Sequence, residues 1–424
     1  MRLPQLVMTA AAVLLAASAH VVRSPLFPAS SSHPRLGRFD LEPNGVEPDP
    51  FAPREVAKRL CAAAGRRIAP KPAKLIDTFP FHRETDMIAI KLRELHGIVD
   101  HFVTLDGSQT FAGKPSRAWL SDGLLDGLGP WLNRSVHPIT LAENPACEEV
   151  YGQAANLVVP AKFAANATAA RLWRCGWAQE FHRRRVLMDF ALERLELHEH
   201  DVIVQSDADE VLSREAAAVL KHCEWELIAA SSMGEAKSIV PVVSLHNFAL
   251  DNHLPAMWEV IRVARVGQIR RLGTPAISTA RYTGMPQSFG QPGMHVTALL
   301  AGGWHMSTFC SPVTAARKLL ASVCTDGVNA RTSDRNRIEA CMLAGLDGWG
   351  RPDTVKFTSA AGAAQLQDFL HPDDYEFFYG SKRVPLLMKE YPEHFGERRQ
   401  WVPTGARDKM PASVRADLTA RCRI

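Results

Sequence analysis

The chain has 424 residues, of which 46% are hydrophobic and 22% charged, and its formal net charge is +4. That apolar content excludes global disorder, and at about 150 residues per domain the length admits two or three domains or one large α/β unit with extensions. The charge is small for the size and gives no reason to expect nucleic acid as a partner.

The chain opens with MRLPQLVMTAAAVLLAASAHVVR. Arg2 and Arg23 bracket an uncharged run of about 20 residues, the length an α-helix needs to cross a bilayer. Ala17-Ser18-Ala19 is a small-residue pattern of the kind a signal peptidase cuts. Residues 1–23 are expected to be a signal anchor or a cleaved signal peptide. Either sends the rest of the chain into the secretory pathway, held at the membrane in the first case and secreted in the second. Two N-glycosylation sequons, Asn133-Arg134-Ser135 and Asn166-Ala167-Thr168, have meaning in that compartment. The eight cysteines are an even number, compatible with disulfides, and no pair has the CxxC spacing of a structural zinc site.

Residues 24–73 are rich in Pro, Ser and Arg without a sustained period, which predicts an extended stem. The globular domain is placed at 74–350. It opens with KLIDTFPF, a strand-like run closed by Pro80. In RETDMIAIKLREL, Ile88, Leu92 and Leu95 form an amphipathic helical stripe that Gly97 ends. HFVTL then predicts a second strand and a βαβ unit. Ligands of such units sit beyond the carboxyl ends of the strands. Asp77, Glu84, Asp86 and Asp106 are therefore candidate cleft residues. Each also has a structural reading: Glu84 and Asp86 as acids favoured by a helix dipole, Asp77 and Asp106 as capping or turn residues.

From Trp173 the pattern is helical again, with Leu187, Ala191 and Leu195 at helical spacing and Glu180 and Arg183 to Arg185 near the start. Successive helical residues point about 100° apart, so three adjacent arginines cannot share one partner. They form a solvated basic face, or one of them meets a phosphate.

DVIVQSDADEV follows as a strand that ends in carboxylates. Asp207 and Asp209, at i and i+2 in extended chain, point the same way. Close carboxylates repel, and a hard cation such as Mg²⁺ or Mn²⁺, which completes its shell with a substrate's phosphates, relieves the repulsion. An EF-hand does not fit, because Val211 and Leu212 stand where that loop needs an oxygen ligand and a glycine. The alternative is an acidic turn leading into a helix from Ser213. Further on, SIVPVVSL and VIRVARV are β-like runs around ALDNHLPAMWE, whose Asp251 and Glu259 are candidates for a general base. Residues 351–424 read as a closing subdomain or tail.

LIDTFPFHRETDMIAIKLREL, VDHFVTLDGSQTFAGKPS, the Trp177 to Arg185 helix, IVQSDADEV and GGWHMS, in that order, make the chain resemble glycosyltransferase family 17. That family contains the β-1,4-mannosyl-glycoprotein N-acetylglucosaminyltransferases. The resemblance implies a GT-A type α/β fold with a mixed, mostly parallel central sheet, UDP-GlcNAc as donor, Mn²⁺ or Mg²⁺ as cofactor and a glycan or glycoprotein as acceptor. It implies a single-pass type II place in the Golgi membrane. It assigns metal binding to Asp207, Asp209 and His305 and places Glu180, Arg184 and Trp304 at the donor; the cleft candidates Asp77, Glu84 and Asp106, read from the βαβ unit, complete the expected donor-binding set. Departures from the family's pattern occur at His82, at Asp106-Gly107 and after Lys318, where Ser322 is followed by Val323, Cys324 and Thr325. Two alternatives stay open: a transferase with another donor or acceptor, and a carbohydrate-binding protein that keeps the fold without turnover.

Overall fold

A computed structural model describes residues 49–82, 84–111, 113–155, 157–159, 164–224, 238–247, 249–258, 261–275, 296–307, 334–344 and 411–422, with positions 36, 39, 41, 315, 316, 318, 385 and 390. For 238–247, 249–258, 296–301, 342–344, 415 and 422 the backbone alone is described. The apolar segment 1–23 lies outside these residues, as does most of 351–424. Among the described residues no helix is long and apolar enough to cross a membrane.

The first element corrects the expected stem. Helix α1 spans Arg54–Ala63 and buries Ala57, Leu60 and Cys61 in the main core, while Arg54, Lys58 and Arg59 face solvent. Its apolar stripe is barely two turns long and is flanked by proline and arginine, which hid it in a composition that otherwise reads as linker. A disulfide joins Cys61 to Cys223. Ala69 N and Ala73 N donate to the carbonyls of His222 and Lys221, each at 2.8 Å. Asp49 meets His222 Nε2 at 2.8 Å. The folded unit thus includes the chain from at least Asp49, and Leu36, Phe39 and Leu41 are buried in the same cluster.

The βαβ unit is as expected. Strand β1 (Leu75–Pro80), helix α2 (Thr85–Leu95) and strand β2 (His101–Gly107) follow one another, and the two strands pair in parallel. Helix α3 (Pro130–Ser135) leads into β3 (Val136–Leu141), parallel to β2. Helix α4 (Cys147–Val150) is tied through Cys147–Cys175 to α5, which spans Ala167–Arg194. That long helix starts before Trp173, because Asn166 Oδ1 caps it by accepting from Ala169 N at 3.0 Å. Next come β4 (Val202–Gln205), β5 (Glu210–Leu212), α6 (Arg214–His222), β6 (Ser238–Asn247), β7 (Ala249–Trp258), β8 (Arg262–Arg265), α7 (Val266–Leu272), β9 (Val296–Ser307), α8 (Arg335–Ala344) and α9 (Ala412–Cys422).

The sheet order is β3-β2-β1-β4-β8-β6-β9-β5, with β7 on β6. It is mixed: β3, β2, β1 and β4 run parallel, whereas β8 is antiparallel to both β4 and β6. The parallel half is covered on both faces. Leu75 and Phe79 pack with α2 and α6, and Ile76 packs with Leu187, Met188 and Ala191 of α5.

Topology also fixes the sheet's shape. β4 and β5 stand four places apart in the order but are joined by residues 206–209 alone. In a flat sheet four spacings are about 19 Å, more than five extended Cα steps of at most about 3.6 Å each can span. The link is also tightened by a bond from Glu210 N to Asp207 O at 3.1 Å. The sheet therefore curls between β4 and β5, and the short acidic turn closes that curl from its middle strand to its β5 end.

Candidate active site

The parallel strands bring Pro80, Gly107 and Gln205 to one edge of the sheet, and Asp207 and Asp209 emerge there. Both carboxylates are met by cations. Arg184, from α5 and 1% exposed, donates to Glu180 Oε1 through Nη2 at 2.9 Å and Nε at 3.1 Å, and to Ser206 O through Nη1 at 3.0 Å. Its Nη2 also pairs with Asp207 Oδ1. Asp209 is more deeply buried. Its Oδ2 pairs with Lys318 Nζ and its Oδ1 lies 3.5 Å from His305 Nε2. Burial alone would raise the Asp209 pKa, but Lys318 and His305 overcome it and hold the carboxyl well below the usual carboxylate range. Glu210 is wholly buried and accepts from Asp207 N at 2.7 Å, so it closes the turn.

Glu84 joins this group from the start of α2. Its Oε1 lies 3.2 Å from Lys318 Nζ, and its Oε2 accepts from His82 N at 2.9 Å. Burial pushes the Glu84 carboxyl up, against the pull of Lys318. Lys318 bridges Glu84 and Asp209, a role that no spacing in the sequence announced, since its partners lie 109 or more positions away.

His305 arrives on β9, which pairs antiparallel with β5 as Glu210↔His305, Val211↔Trp304 and Leu212↔Gly303. Side chains alternate across a strand. Trp304 accordingly points the other way and is packed in the main core, 5% exposed, so the donor-binding role given to it has no support in this geometry. The two strands approach closely at Gly303, whose φ is +134°. A Cβ there would lie 2.1 Å from Val211 O and 2.6 Å from Ser213 N. Gly303→Ala is expected to destabilise the chain by about 1–3 kcal/mol through overpacking, read as a lower midpoint of thermal or urea unfolding.

Other sequence candidates lie elsewhere. Asp77 is fully buried in β1 and bonded to Lys91 and Ser206 at 2.7–2.8 Å, which corrects its placement as a donor ligand: it is closed off from any substrate. Asp106 belongs to the neighbouring strand end. Its oxygens accept from Leu120 N at 2.7 Å and Thr140 Oγ1 at 3.0 Å, and burial raises its pKa against those bonds. It holds the loop after β2 and does not reach the turn through any of these bonds. Asp86 is buried in the first turn of α2. Asp251 is in β7 with its side chain outside the description, and Glu259 lies outside the described residues.

The arginine run divides its labour. Arg183 Nη2 donates to Gln109 O at 2.6 Å and Asn144 Oδ1 at 2.7 Å, and its guanidinium lies 4.7 Å from the Phe111 ring centroid. Burial lowers its pKa to about 10. It steadies the loops after β2 and β3 while Arg184 steadies the turn after β4, and Arg185 forms a helical pair with Asp189 at 3.6 Å. Neither expected reading, a solvated face or a lone phosphate ligand, describes all three.

Among the described residues no group of three or more His, Cys, Asp or Glu converges as a metal site. Asp209 and His305, 3.5 Å apart, are the pair that would share an ion if one bound here. Two protein ligands fit the habit of Mg²⁺ and Mn²⁺, which take one or two carboxylates and complete the shell with water and phosphate oxygens. Asp207 is turned to Arg184 instead.

No curated protein and no solved structure matches this chain. Residues 46–123, which run from just before α1 through β2 and stop short of the acidic turn, match the model of glycosyltransferase family 17, and that match supports a glycosyltransferase activity.

Proposed function

We propose that the protein transfers N-acetylglucosamine from UDP-GlcNAc to a mannose-containing N-glycan, in the manner of the bisecting β-1,4 linkage and with inversion. The observation that carries the reading is the turn at Asp207 and Asp209, at the carboxyl edge of parallel strands and flanked by Arg184, Lys318 and His305, together with the family match. In the reaction the bond between the sugar's C1 and the diphosphate oxygen breaks, and its electron pair leaves with UDP. The acceptor hydroxyl oxygen bonds C1 from the opposite face and gives its proton to a carboxylate, for which Asp251 and Glu259 remain the sequence candidates. Arg184 and Lys318 supply fixed positive charge near the place where the leaving diphosphate accumulates negative charge. A divalent ion held by Asp209 and His305 would add Lewis-acid stabilisation there when bound. Disulfides Cys61–Cys223 and Cys147–Cys175 support the proposed lumenal address, since such bonds persist in oxidising compartments.

The test uses the full-length chain with UDP-GlcNAc, Mn²⁺ and a mannose-containing glycan, and measures UDP release. Asp209→Ala is expected to lower the rate by about 10²–10³-fold, as loss of a charge-stabilising group does. Equal rates for parent and variant would sink the enzymatic reading. Glycan binding without UDP release would select the carbohydrate-binding alternative, and a glycan array positive only for glycans without a core β-mannose would remove the bisecting assignment.

A further inference from the structure

Beneath the acidic turn lies a second polar cluster that is sealed from solvent. Lys91 of α2, Asp77 of β1 and Ser206, the first residue after β4, are each 0% exposed. Lys91 Nζ donates to Asp77 Oδ2 at 2.8 Å and to Ser206 Oγ at 2.7 Å, and Ser206 Oγ donates to Asp77 Oδ1 at 2.7 Å. The ammonium also lies 4.5 Å from the centroid of the Phe79 ring. One helix and two strands are closed into a ring of three hydrogen bonds.

Such a ring is a poor way to gain stability. Desolvating both charges offsets most of their attraction, and apolar replacements of similar volume are often neutral or better. What a fully bonded buried network does provide is one geometry in place of several. Ser206 is the residue through which that geometry reaches the turn. Its N donates to Thr78 O at 3.0 Å, its O accepts from Arg184 Nη1 at 3.0 Å, and Asp207 follows directly. All four of its polar contacts are fixed before the chain turns.

We propose that Lys91 is a positioning residue for the Asp207–Asp209 turn, acting through Ser206 to set the direction in which both carboxylates leave β4. The proposal rests on the reading of that turn as the donor's site, but its first consequence, the rigidity of the turn itself, is independent of any activity. The Asp77–Lys91 pair thereby has a function although neither residue touches substrate.

The experiment compares full-length parent, Ser206→Ala and the charge-neutral double variant Asp77→Asn/Lys91→Met by amide hydrogen exchange and by UDP release. Exchange across residues 207–210 is expected to accelerate at least tenfold in both variants, while the peptide covering Glu180 to Met188 in α5 keeps the parent's rate. The kcat for donor turnover is expected to fall about 10–100-fold with donor KM nearly unchanged, the pattern of misplaced catalytic geometry. A purely structural cluster would lower the unfolding temperature and leave both local exchange and the kcat of the folded enzyme alone. Parent-like exchange over 207–210 in Ser206→Ala, whose loss of one oxygen the fold should tolerate, overturns the inference whatever the double variant does. A parent that releases no UDP while the variants show the accelerated exchange overturns the functional reading and leaves Lys91's role standing.

Discussion

A chain that begins at Lys74 is expected to lose its cooperative unfolding transition. The cut falls where composition places the start of the domain, yet it removes α1 with the buried Ala57, Leu60 and Cys61, the bridge from Ile68 to Cys223, and the disulfide. A buried leucine-sized side chain contributes about 1.5–3 kcal/mol, and a disulfide closing a long loop typically about 2–4 kcal/mol. Backbone bonds to His222 and Lys221 go as well. Together these losses approach the whole stability of an ordinary domain, about 5–15 kcal/mol. Thermal unfolding followed by circular dichroism decides the matter. A sharp transition from the shortened chain, within a few degrees of the parent's, would show that α1 is dispensable.

Arg184→Ala is expected to cost about 3–5 kcal/mol, the range for removing one partner of a buried ion pair. The guanidinium serves Glu180, the Ser206 carbonyl and Asp207 at once. Removing it takes away Glu180's charge partner in a place with little access to water. Lysine cannot replace it, because one ammonium lacks the planar fork that reaches three acceptors. The companion variant Glu180→Gln/Arg184→Met removes both charges and is expected to recover most of the stability. It should still lack activity, because Asp207 loses its orienting partner. Urea unfolding and UDP release, run on the same preparations, separate the two losses. Full activity in the double variant would show that Arg184 serves the fold alone.

What the sequence disclosed follows from where each signal is local. The β1–α2–β2 unit and the strand before the acidic turn were legible because strand and helix periods change within a few residues, and the strands are apolar runs. Arg184 and Glu180 share a helix face at i and i+4, so their pairing was within reach of spacing. Asp77 was misjudged because a carboxylate in a strand looks the same whether it faces a ligand or a buried lysine. Its partner Lys91 sits in a helix buried from Asp86 to Leu95, against the usual exposure of charged residues. Lys318 and the fourth parallel strand, β3, depend on contacts between distant segments, which no window on the chain contains.

The partners of the two site carboxylates come from opposite sides of them along the chain. Asp207 is matched by Arg184, which precedes it by 23 residues, whereas Asp209 is matched by Lys318, which follows it by 109, and by His305. Each half of the molecule therefore carries charge that the other half neutralises. A fragment ending after α6 would keep Asp207 balanced but leave Asp209 without Lys318 or His305. Docking β9 against β5, with Lys318 following β9 in the chain, thus joins opposite charges as well as two strands, and the acidic turn becomes electrically complete only when the later half of the chain is in place.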